Sequence, residues 1–135
     1  MQISPNQILP SQDFLKEKTV RFILECLTTG NLDELPPTPL VRRDAEGRLV
    51  AIDGHNLIAV RHYRQEPIEV IVATSATDGL PPTSEANITR NQELADKYDT
   101  VLDEQRRVAA EGITGFGALI EKYPALFAPQ PGQQS

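Results

Sequence analysis

Apolar residues along this chain recur at two periods, and the change of period marks the elements. From 14 to 28, Leu15, Val20, Ile23, Leu24 and Leu27 fall at helical spacing and Gly30 supplies a stop, which predicts a helix with one buried face. The run DELPPTP that follows holds three prolines, which remove backbone donors and hold their predecessors extended. PLVRRDAEGRLVAI then reads as a hairpin: a strand at Leu40 and Val41, a turn at Asp44 to Gly47, and a strand from Arg48 to Ile52.

Asn56 to Arg64 is predicted as a short helix with Leu57, Ile58 and Val60 inward, ended by Pro67. Ile68 to Ala73 is nearly continuous in apolar residues, which predicts a central strand buried on both faces. TSATDGLPPTSEAN is rich in turn formers and predicts a surface loop. From Asn91 to Ala110, Leu94, Tyr98, Val101, Leu102, Val108 and Ala109 form an amphipathic stripe that Gly112 ends; a shorter helix, Phe116 to Lys122, stops before Pro124.

These elements make an α+β chain: a small mixed sheet with helices over residues 1–86, a helical extension over 87–128, and a disordered tail over 129–135. The extension is too small to fold alone, so its stripe must lie on the sheet or on a second copy, with a homodimer the preferred arrangement.

Composition narrows the function classes. With a single cysteine, Cys26, on the apolar face of the first helix, no disulfide framework or cysteine metal site can be built. No apolar run reaches the roughly 20 residues of a membrane span, and MQISPNQILP lacks the basic and apolar regions of a signal peptide, so a cytoplasmic protein is expected. A net charge of −6 argues against autonomous DNA binding, which needs clustered Lys and Arg. Between Arg42 and Arg64, however, five arginines face three acids, a balance of +2 that leaves −8 for the rest. Any anion site is expected in that segment.

Its candidate is the stretch Asp53-Gly54-His55-Asn56, where a strand hands the chain to a helix. A helix N-terminus offers unpaired N–H groups and about half a positive charge to an anion. Gly54 would allow close backbone approach or a positive φ, His55 would add a titratable donor, and Asn56 would cap the helix. The same residues also read as a tight turn, a surface histidine and an ordinary cap. No set of residues at metal-ligand spacing is evident. His62 reads as a surface or interface residue.

The run PPTPLVRRDAEGRLVAIDGHNLIAVRHYRQEPIEVIVA resembles the ParB-like nuclease, or ParB/sulfiredoxin, superfamily: a Pro-hydrophobic-Val start at Pro39 to Val41, a turn, a strand, an Asp-Gly-His box, a helix, and a short strand at Pro67 to Val72. The upstream ILPSQDFLKEKTV is similar to that family's start, so the resemblance covers residues 3 to 73. It implies a small α/β-like fold whose box holds the phosphates of a nucleotide, ATP or CTP with magnesium, and activities ranging from a CTP-dependent clamp to a sulfinic acid reductase, a serine kinase or a nuclease.

Residue by residue, Asp53, Gly54 and His55 match the box, with Asp53 and His55 in the catalytic positions and Gly54, His55, Asn56, Ser11, Gln12, Lys18 and Arg61 around the ligand. The box's usual second His and its Arg are here Asn56 and Leu57, which removes a bidentate phosphate grip; Arg61 and Arg64 further along the helix are the candidates to replace it. Sulfiredoxin chemistry lacks its box cysteine. The competing expectation is a catalytically degenerate scaffold for protein interaction or DNA-associated regulation, with the helix from Asn91 to Ala110 as its contact surface.

Overall fold

The computed structural model describes residues 1–75 and 88–127. The loop expected over 74–87 and the tail over 129–135 lie largely or wholly outside them. The chain is α+β, with strands β1 (Gln2–Ile3), β2 (Ile8–Leu9), β3 (Leu40–Arg43), β4 (Leu49–Ala51), β5 (Ile68–Glu69) and β6 (Ile71–Val72). Its helices are α1 (Glu17–Thr29), α2 (His55–Tyr63), α3 (Ile88–Ala110), α4 (Phe116–Glu121) and α5 (Pro124–Phe127).

Four strands form one mixed sheet in the order β2-β4-β3-β6, in which β2 and β4 are parallel, β4 and β3 antiparallel, and β3 and β6 parallel; β1 and β5 pair separately. Period-two alternation along β4 assigns its side chains to two layers. Leu49 and Ala51 join the core built with α1, α2, α4 and α5, whereas Val50 and Ile52 join Leu40, Ala73 and Val101 of α3. The sheet is therefore covered on both faces, and β4, with Leu49, Val50 and Ala51 all buried, is its two-sided strand.

That role was expected of Ile68 to Ala73, and here the structure corrects the sequence. The segment is two short strands that change partner: the Val70 N–H donates to the Met1 carbonyl, and the Ile71 N–H to the Pro39 carbonyl. β6 is an edge because it pairs with β3 alone, and Ile71 is 39% exposed, with Glu69 and Ile71 exposed while Ile68, Val70 and Ala73 are buried. The hairpin is as expected. Asp44 and Arg48 close a three-residue loop whose Gly47 takes φ +82°, and Asp44 Oδ1 accepts the Glu46 and Arg48 N–H groups.

α3 lays its apolar stripe on its own sheet. Leu94, Val101 and Val108 are buried, Tyr98 and Leu102 pack on the second core, and Arg42 of β3 donates to the Tyr98 carbonyl at 2.8 Å while stacking over its ring. The stripe expected to serve a partner copy or a protein contact is thus already covered within one chain; the outer face carries Asp96, Asp99, Asp103 and Arg106. Its C-terminal half reaches the loop before α1, where Arg107 lies 3.6 Å from Asp13. Cys26 is buried, as its apolar setting implied. Among the described residues no helix is long and apolar enough to cross a membrane.

Candidate functional site: the turn from β4 into α2

β4 ends at Ala51, and Gly54, in the left-handed region at φ +86°, turns the chain into α2. Two constraints require glycine there. An L side chain is strained at that φ, and a Cβ would stand 2.7 Å from Pro39 Cβ and 2.8 Å from its Cγ. Pro39 thus occupies the side of Gly54 that was expected to receive an anion closely. Gly54 itself is the N-cap and supplies no side-chain cap, so the first turn of α2 begins without one.

Asn56 is not the cap its position suggested. It is the second residue of the helix, and its Oδ1 accepts the Lys16 N–H at 2.9 Å, tying down the residue that precedes α1. Lys18 follows in the exposed first turn of α1, and Gln12 donates its side-chain amide to the Phe14 carbonyl.

His55 is 3% exposed, its ring 5.7 Å from that of Phe116 in α4. The Ser11 N–H donates to His55 Nε2 at 3.0 Å, and the Ser11 hydroxyl donates to the Ala51 carbonyl at 2.6 Å. An Nε2 that accepts an N–H carries no proton, so the ring is the neutral Nδ1–H tautomer. Burial holds its pKa down to about 3; the Lys97 charge pushes the same way, and Asp53 opposes both. The expectation of a titratable donor facing an anion is therefore corrected: His55 fastens the Ser11 loop to α2.

The structure brings Ser11, Asp53, Gly54, His55 and Asn56 together at this turn and leaves Arg61 away from it. Seven residues beyond Gly54, or about 10 Å along the axis, Arg61 pairs with Glu66. His62 is half-buried, its Cε1 3.5 Å from where a Cβ on Gly117 would stand, and burial lowers its pKa. Among the described residues no group of three or more His, Cys, Asp or Glu is placed to hold a metal ion. Pro39 and Phe116 were not anticipated as parts of the turn; Pro39, directly before the first hairpin strand, was the only one with a sequence signal.

No family model matches this chain, and no curated protein or solved structure matches it.

Proposed function

We propose that this is a ParB-like domain that binds a phosphate-bearing ligand, a nucleotide, at the turn from β4 into α2. The observation that carries the reading is a glycine-capped helix N-terminus, without a side-chain cap, delivered by the two-sided strand of the sheet. The flanking loop is held against it by Ser11 to His55 and Lys16 to Asn56 bonds, so the amides of the first turn are fixed before a ligand arrives. In this reading His55 is a positioning residue, the ligand meets backbone N–H groups, and Lys18, two residues after the Lys16 whose N–H bonds Asn56, is the cation proposed for its phosphates. Magnesium would arrive on the nucleotide phosphates, with Asp53 the carboxylate of the turn; one carboxylate plus phosphates is an ordinary set for that ion.

A second reading has its own support. The Ser11 to His55 bond and the Pro39 to Gly54 contact account for the glycine and the histidine without any ligand, as in a scaffold that keeps the fold for protein interaction. Calorimetric titration of the full chain with ATP, ADP and CTP, each with magnesium, separates the two. Saturable heat that Lys18→Ala weakens supports nucleotide binding. No heat with any nucleotide leaves the scaffold.

A further inference from the structure

The far end of α2 borders a cavity of about 440 Å³. Pro5 and Asn6 reach it from the short helical turn between β1 and β2, and His62, Gln65, Glu66 and Pro67 from the end of α2 and the chain that follows. We propose that this cavity binds an uncharged nucleobase that carries an exocyclic amine, with its ring against the two prolines and its edge bonded by Asn6, His62, Gln65 and Glu66.

The walls are more apolar than polar, and the size falls within the roughly 300–1,000 Å³ of small-ligand sites, where a few polar groups fix orientation. Three of those polar groups are unspent: the Asn6, His62 and Gln65 side chains have no hydrogen-bond partner among the described residues. His62 is the telling one. Its ring is half-buried against α4, with Cε1 3.5 Å from where a Cβ on Gly117 would stand, and a ring nitrogen withdrawn from water without a partner is costly. Burial lowers its pKa, so the imidazole is neutral at pH 7 and, like the two amides, offers both a donor and an acceptor.

The charges select an uncharged ligand. No Lys or Arg lines the cavity, so an anion meets only the Glu66 carboxylate. Glu66 Oε1 already lies 2.5 Å from Arg64 Nε and 3.4 Å from Arg61 Nη1, so its charge is offset against a cation, while Oε2 is left to accept a neutral N–H. Side-chain amides bond the ring nitrogen and amine of adenine in pairs, carboxylates accept from exocyclic amines, and imidazoles stack on bases.

The test titrates the full chain with adenine, followed by amide NMR shifts, with purine, benzoate and benzamidine as controls that lack the amine or carry a charge. Adenine is expected to shift the Asn6, Gln65 and Glu66 amides saturably, with each control weaker by about 3-fold or more for want of a hydrogen bond. His62→Phe keeps a ring against α4 and removes both nitrogens, and should weaken adenine by a similar factor. Gln65→Gly should do the same without loss of stability, because Gln65 sits at φ +57°, where glycine is unstrained. Shifts that never saturate, equal or tighter binding of any control, or wild-type affinity in both variants overturns the proposal. The titration with nucleotides does not bear on it, because adenine carries no phosphate and the Gly54 turn is intact in both variants.

Discussion

At the scale of single residues, the region around the turn is held by side chains whose conformation or burial can be tested one at a time. His55 is protonated at pH 6 in the unfolded chain but stays neutral in the folded one down to about pH 3. The unfolded state therefore binds more protons between these limits, and stability is full above pH 6.5 and lost as pH falls. The expected slope is up to about 1.4 kcal/mol per pH unit, read from urea midpoints between pH 6 and 5, where the carboxylates contribute little. His62, with its pKa also lowered, adds a smaller slope of the same sign. His55→Leu should flatten the profile and cost about 1–3 kcal/mol at pH 7, since the buried Ser11 N–H loses its acceptor. Glycine positions give a second comparison. Gly47→Ala, at φ +82° with open space around it, should cost about 1 kcal/mol. Gly54→Ala adds the Pro39 clash to the same backbone strain, and its denaturation midpoint should fall clearly further.

Elements show how local chemistry and tertiary contacts divide the work. α2 ends in a paired motif in which the Glu66 N–H donates to the Arg61 carbonyl and the Gln65 N–H to the His62 carbonyl, with Gln65 left-handed at φ +57°. Glycine is the usual residue there. Gln65→Gly should relieve about 1–2 kcal/mol of strain and return part of it as unfolded-state entropy, a net gain of about 0.5 kcal/mol measurable by urea denaturation. The sign is opposite to that of Gly54→Ala, at the other end of the same helix. α2 itself has an apolar composition on nearly all sides because β4, α1 and α4 surround it, so its sequence lacks the one-sided stripe that made α1 easy to recognise.

For the whole molecule, the arrangement is helices, sheet, helix, and the last layer is supplied by α3. Removing residues 87–135 would uncover Leu40, Val50, Ile52 and Ala73 on one face, and the core residues that Phe116 and Leu119 cover on the other. The truncated chain is expected to aggregate, as seen by size-exclusion chromatography with light scattering. A soluble, folded monomer from that truncation would show that α3 and α4 are dispensable to the sheet.

What the sequence determined by itself is what neighbours in the chain settle. The Asp44 to Gly47 turn was legible because an aspartate, a glycine and an arginine close it within five residues, and Gly54 was legible as a left-handed candidate because it ends an apolar strand. The role of His55 was not, since its partner Ser11 lies 44 residues away and only the parallel pairing of β2 with β4 brings them together. Asn56 looked like a cap because capping is a local rule; the Lys16 N–H, 40 residues distant, took its oxygen instead. The apolar run at 68–73 matched a central strand in composition, but whether a strand is central depends on how many neighbours pair with it, and β4 had already taken that place between β2 and β3. Tertiary structure alone decided where α3 would spend its apolar stripe, because hydrophobic burial is non-directional and a stripe does not encode which surface will cover it.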